Sequence, residues 1–178
     1  MIVTIVNGDL LEATEPFIAQ QCNCVTVHAH GLSESIFSKF PYANVYAQRE
    51  KGKGNRTTKP SIPGTVSVHC PPSIDTGIDG LVVRSSFPTI LNMMGQWAPG
   101  KALHWKRQYP SDTYKDDSKE RLCFFEKCLA QLEAIVDEND HVAIPFKIGC
   151  GLAGGKWELY ETMLQNAKTK FVIYKKDP

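Results

Sequence analysis

Ile144-Pro145-Phe146-Lys147-Ile148-Gly149-Cys150-Gly151-Leu152-Ala153-Gly154-Gly155-Lys156-Trp157 decides how this chain is read. Val142 to Phe146 is an apolar run of strand length. Gly149, Gly151, Gly154 and Gly155 follow, and Trp157 to Ala167 then has helical spacing. Glycines between a buried strand and a helix let backbone N–H groups approach a ligand closely, and the helix start supplies partial positive charge. That combination suits a diphosphate. The G-x-G-x-x-G spacing is equally met in turns that do no more than join a strand to a helix. In dinucleotide-binding dehydrogenase domains it follows the first strand, whereas here it precedes the last helix. Its position argues for a different nucleotide fold.

Outward from this turn, β-rich and helical patterns alternate. Ile2 to Val6 is a short strand closed by Asn7-Gly8-Asp9, and Phe17 to Cys24 is a near-continuous apolar run suited to a strand buried on both faces. Leu32, Ile36, Phe37 and Phe40 recur at helical spacing until Pro41, and a second short helix is expected over Tyr42 to Gln48. Lys51 to Pro60, without an apolar residue, reads as a solvated loop. Gly64 to His69 and Leu81 to Met94 carry further strands, and Trp97 to Ser118 is a long irregular segment of the kind that is usually functional or mobile. Asp116-Asp117-Ser118-Lys119-Glu120 starts a helix whose apolar stripe is Leu122, Phe125, Leu129, Leu132, Ile135 and Val136. Phe171 to Tyr174 is the last strand. Alternating strands and helices with continuous apolar strands predict a mostly parallel sheet covered on both faces. No repeat, low-complexity tract or second domain interrupts residues 1–178.

Composition is consistent with one core. A chain of 178 residues fits a single domain, and 42% hydrophobic with 22% charged residues is ordinary for a globular protein. A formal charge of +1 excludes a strongly basic grip on nucleic acid as the default. No apolar run reaches the roughly 18 residues that span a bilayer. The N-terminus lacks a basic flank and reads as a strand, not a signal peptide. The six cysteines lie largely in apolar runs of a chain long enough to fold without staples, so reduced thiols in a cytoplasmic or nuclear compartment are expected.

Two further constellations carry chemistry. In Gln21-Cys22-Asn23-Cys24-Val25-Thr26-Val27-His28-Ala29-His30-Gly31-Leu32, a strand enters a polar loop and then a helix N-terminus. Asn23 then stands at the C-terminal end of its strand, where parallel sheets bind ligands. Cys22, Cys24, His28 and His30 are competent zinc ligands, but strand alternation turns both cysteines to one face, toward the core, and no C-x2-C spacing is present; no metal and no cofactor is expected. His28 and His30 read as solvated loop histidines or as acid–base groups. Asp9 in Asn7-Gly8-Asp9-Leu10-Leu11 is either a cap or the acceptor for an exocyclic amine.

These pieces, in this order, resemble the macro domain family: Gly8-Asp9-Leu10 after the first strand, Asn23 through Gly31, and Gly149 through Gly155. The resemblance spans nearly the whole chain. It is nearest the compact stand-alone branch related to ADP-ribose-1″-phosphate phosphatases, also found in viruses and phages, through the Cys-Asn-Cys strand end and the Phe40-Pro41 pair that closes a helix. It implies a three-layer α/β/α sandwich around a mixed, mostly parallel sheet, and ADP-ribose or a derivative as ligand. Asp9 would then hold the adenine amine with Leu10 beside it, and Asn23 would touch the distal ribose. The loop Ala29, His30 and Gly31, leading into Leu32, and the loop Gly149, Cys150, Gly151, Leu152, Ala153 and Gly154 would wrap the diphosphate. Tyr174 would stack on adenine, or be an ordinary strand-end tyrosine. Gln96, with Asn92 and Lys101, could reach the distal ribose or a terminal phosphate, or be strand-end polar residues and a surface lysine. Trp97 and Trp105 could cover a ligand or fill the outer core. The chain departs from the family at Ala29 and His30, where many members have glycine. It also departs at Ala153, where hydrolytic members carry an aromatic residue and the branch that removes ADP-ribose from glutamate carries an aspartate.

Two functions follow. One is hydrolysis at the distal ribose of an ADP-ribose derivative, a 1″-phosphate or an ester to a protein, with Asn23 orienting water and His30 or His28 handling the proton. The other is a binding module that reads or sequesters ADP-ribose, free or on an ADP-ribosylated protein, without turnover. RNA binding is a third reading that the near-neutral charge and the lack of Lys/Arg–aromatic interleaving argue against.

Overall fold

The computed structural model describes residues 3–75, 77–79, 82–83 and 85–176. Ile2 and Leu81, expected to open two of the strands, lie outside the described residues. The remaining runs of β-branched and apolar residues form β1 (Val3–Asn7), β2 (Phe17–Asn23), β3 (Val66–His69), β4 (Ile74–Asp75), β5 (Val82–Val83), β6 (Thr89–Gln96), β7 (His141–Pro145) and β8 (Lys170–Lys175). The helices are α1 (Leu32–Lys39), α2 (Ser118–Ile135) and α3 (Trp157–Asn166).

Six strands make one sheet in the order β1-β8-β7-β2-β6-β3, and β4 with β5 forms a separate antiparallel pair. All pairings in the large sheet are parallel except β3 with β6, where Val68 faces Leu91. Because successive side chains on a strand point to opposite faces, the sheet divides its apolar residues between two cores. Ile18, Ile90 and Ala143 pack under Ile36 and Phe37 of α1 and under Phe40. Their neighbours Ala19, Leu91, Val142 and Ile144 pack under Phe125, Leu129 and Leu132 of α2 and Tyr160 and Leu164 of α3. The result is the expected three-layer sandwich. A parallel sheet has all its C-terminal strand ends on one side, so the segments after β2, β6 and β7 emerge together. That brings residues far apart in sequence to one crevice.

Two local expectations are corrected. No α-helix forms over 42–48: Pro41–Ala43 is one 3-10 turn, followed by turns. Tyr46 is buried there, and its hydroxyl accepts from the Asn23 N–H at 2.8 Å. On α2 the buried stripe is Arg121, Phe124, Phe125, Cys128, Leu129 and Leu132, while Leu122 is only partly buried and Ile135 is exposed. Phe125, Leu129, Leu132 and Val136 of the expected stripe are buried, and the first turn of the helix is fixed by a buried ion pair. Arg121 donates from Nε and Nη2 to the two Asp116 oxygens at 2.8 and 2.7 Å. Asp116 therefore lies before the helix with its carboxylate buried, and only Asp117 caps, accepting from Glu120 N–H at 2.8 Å.

Candidate functional site

The two segments expected to cradle an anion lie side by side. A cavity of about 490 Å³ opens at the C-terminal ends of β2, β6 and β7, between the loop after β2 and the turn after β7. At its mouth a Cβ added to Gly31 would stand 3.2 Å from the Leu152 side chain, so the two loops are in van der Waals range. Among the described residues, no aspartate or glutamate lines the cavity, and its ionisable wall groups apart from Tyr46 are His28, His30 and Lys147. The wall is therefore one that tolerates negative charge and not one that repels it.

The floor is built from side chains that satisfy one another. Asn23 ends β2 at a register shift, opposite Gln96. Its Oδ1 accepts from the N–H groups of Val25 and Thr26 at 3.0 and 2.9 Å and from the Thr26 hydroxyl at 3.0 Å. Its Nδ2 donates to Tyr46 Oη at 3.1 Å. Behind it, Arg49 donates to the carbonyls of Thr26 and Asn23, both at 2.7 Å, and lies over the Tyr46 ring. Gln96 donates to the Ala98 carbonyl at 2.9 Å, which leaves its Oε1 to accept from Gln21 Nε2 at 2.8 Å. Gln21 Oε1 is buried and has no donor among the described residues.

Of the residues singled out from sequence, Asn23, His28, His30, Gly31, Leu32, Gln96, Gly149, Gly151, Leu152 and Ala153 line this cavity. Ala29, Cys150 and Gly154 belong to the same loops but not to the lining. Asp9, Leu10 and Tyr174 are outside this lining. Asp9 caps the 3-10 turn Leu10–Glu12, accepting from Leu11 N–H at 3.0 Å, and pairs with Lys176 at 2.8 Å. The pairing and the Leu11 bond hold its carboxyl below the usual range. Leu10 is core, and the Tyr174 hydroxyl donates to Glu15 at 2.8 Å. Asn92 is fully buried, accepting from Gln20 and donating to the Ala43 carbonyl, both at 2.9 Å; Lys101 lies over Gly154, outside the lining. Trp97 is core, with its indole N–H donating to the Tyr109 carbonyl, and Trp105 is exposed. Thr26, Tyr46 and Gln21 also line the cavity. Gln21 stood in the quoted motif, but nothing in the residues around Tyr46 signals that it turns inward.

The glycines separate into two kinds. A Cβ on Gly149, at φ +74°, would lie 2.5 Å from the Tyr160 ring and 2.7 Å from Gln21 Oε1, and one on Gly155 would lie 2.6 Å from the Gly149 carbonyl. These two permit packing. Gly151 faces open space and lines the cavity. Among the described residues, no acceptor is bonded to the N–H groups of Leu152 and Ala153 in this turn, or of Ala29, His30 and Gly31 opposite. The turn is tied to its neighbours by Arg121, which donates to the carbonyls of Gly100 and Ala153 at 2.7 and 3.3 Å.

The zinc alternative does not assemble. Cys22 and Cys24 are buried, and burial pushes the Cys22 thiol up to about 12, whereas His28 and His30 are exposed. Among the described residues, no group of three or more His, Cys, Asp or Glu side chains is placed to hold a metal.

An α/β/α sandwich with a crevice at the strand ends, lined by two turns and by no carboxylate among the described residues, defines the class. No family model matches the chain, and no curated protein matches it. Solved structures do. The macrodomain of Mycobacterium tuberculosis DarG is 24% identical over 97% of this chain and 96% of its own, with a TM-score of 0.56. The macrodomain of Thermus aquaticus DarG is 17% identical over 99% and 98%, with a TM-score of 0.57. An alphavirus P23pro-zbd structure matches 97% of this chain with 21% of its own length, at 16% identity and a TM-score of 0.56. The chain has the macrodomain fold.

Proposed function

We propose that this protein binds ADP-ribose or a close derivative in the cavity between residues 28–31 and 149–153. One observation carries the reading: two turns more than a hundred residues apart in the chain line one cavity, and among the described residues no carboxylate lines it and the N–H groups of His30, Gly31, Leu152 and Ala153 have no acceptor. Backbone amides at a helix start and a glycine turn are the donors a diphosphate requires. The macrodomain fold and the sequence resemblance support ADP-ribose as the nucleotide. Titration calorimetry with ADP-ribose, ATP and NAD tests it. A clear preference for ADP-ribose is expected; equal affinity for ATP, or no heat with any of the three, rejects it.

Binding without turnover is the reading the geometry favours, because the hydrogen bonds of the Asn23 carboxamide are directed into the protein. Hydrolysis of a distal-ribose substituent is the second reading, favoured by His28 and His30 at the cavity wall, within the same lining as Asn23. Incubation with ADP-ribose-1″-phosphate and with an ADP-ribosylated protein distinguishes the two. Phosphate or ADP-ribose released by the wild type and lost in His30→Ala would establish turnover, and a bound but intact ligand would establish the module.

A further inference from the structure

The backbone donors from Val25 to His28 are shared between two asparagine oxygens, and those of Ala29 to Gly31 follow at the cavity wall that His30 and Gly31 line. Val25 and Thr26 donate to Asn23 Oδ1. Val27 and His28 donate to the single oxygen Asn55 Oδ1, at 3.1 and 2.9 Å. Among the described residues, the next three N–H groups, of Ala29, His30 and Gly31, have no acceptor. Asn55 belongs to the Lys- and Gly-rich loop that reads in sequence as merely solvated, yet the loop is anchored. Gly52 N–H donates to the Arg56 carbonyl at 2.7 Å, and Thr57, buried, donates from its N–H to the Val25 carbonyl at 2.8 Å and from its hydroxyl to the Glu50 carbonyl at 2.7 Å. Asn55 is thus held against the loop that it braces.

We infer that Asn55 is a positioning residue for anion binding, setting the point at which the loop stops satisfying its own amides and offers them to the cavity. Two N–H groups converging on one oxygen fix two consecutive peptide planes. Gly31, at φ +62°, fixes the other end as the start of α1. Only Ala29 and His30 lie between, so the three free amides keep one orientation before any ligand arrives. Such preorganisation raises affinity by removing the ordering that binding would otherwise require. The inference rests on the proposed reading of the cavity as an anion site.

The test uses the whole chain with Asn55→Ala and Asn55→Asp, followed by amide exchange and by titration with ADP-ribose and with inorganic pyrophosphate. In Asn55→Ala, exchange at Val27 and His28 should accelerate and ADP-ribose affinity should fall roughly tenfold, while the melting temperature stays near that of the wild type. Asn55→Asp keeps the acceptor oxygen and should keep both amides protected, which covers the case in which the alanine variant fails to fold. Unchanged affinity in Asn55→Ala, or lost protection in Asn55→Asp, overturns the inference. If the wild type ignores ADP-ribose, the nucleotide reading falls. Asn55 is then judged on pyrophosphate: amide shifts at His30 and Gly31 that vanish in Asn55→Ala support its role, and no shift in the wild type overturns it.

Discussion

Gly149 and Gly151 are two residues apart and do different things. At Gly149 a methyl group would meet the Tyr160 ring and Gln21 Oε1 inside 3 Å, in a backbone conformation that L-residues avoid. Gly149→Ala is expected to destabilise the fold by about 2–4 kcal/mol, the sum of left-handed strain and overpacking. Gly151→Ala has open space and should change stability by less than about 0.5 kcal/mol. Urea unfolding of both variants reads the difference directly, and equal losses would contradict the assignment. Asn23 is likewise a structural centre as well as a wall residue. Asn23→Ala strands the buried N–H groups of Val25 and Thr26 and should lower stability by about 2–3 kcal/mol in the same assay. Lost ligand binding in that variant has to be read beside its lost stability.

At the scale of elements, α2 governs the site without lining it. The Asp116–Arg121 pair, with side chains 7% and 3% exposed, accepts the N–H groups of Trp97 and Ala98 and donates to the carbonyls of Gly100 and Ala153. It therefore clamps the end of β6, the long segment after it and the tip of the glycine turn to the first turn of the helix. Breaking a buried pair leaves one charge uncompensated. Asp116→Ala should lower unfolding free energy by about 3–5 kcal/mol, measurable by calorimetric or denaturant unfolding. A loss below about 1 kcal/mol would mean that the pair is solvated and clamps nothing.

For the molecule as a whole, the cavity joins segments from both halves of the chain, so a ligand there stabilises the entire sandwich. ADP-ribose at 100 times its dissociation constant adds about 2.7 kcal/mol, and for a domain of this size the melting temperature should rise by roughly 5–10 °C. An unchanged melt at saturation contradicts binding at this site. Packing also sets thiol reactivity. Burial pushes Cys22 and Cys128 up to about 12 and Cys24 higher still, so at neutral pH these three stay protonated as well as shielded. Alkylation of the native protein should mark the exposed Cys70 and spare Cys22, Cys24 and Cys128; in denaturant all six should react.

The sequence by itself determined the three helices, the strands of the large sheet and the two anion-suited turns, though not the turns over 42–48, because apolar periodicity and glycine spacing are local properties of neighbouring residues. It placed Asn23 at the end of a strand and His30, Gly31 and Gly151 in turns that follow strands, and a parallel sheet brings such turns together. Only the tertiary structure decided which polar groups remain free to meet a ligand. The amides of Val27 and His28 are taken by Asn55, the Asn23 carboxamide by its own turn and Tyr46, and Asp9 by Lys176. Hydrogen-bond partners far apart in the chain leave no spacing in the sequence, so their pairing is settled only when the layers pack.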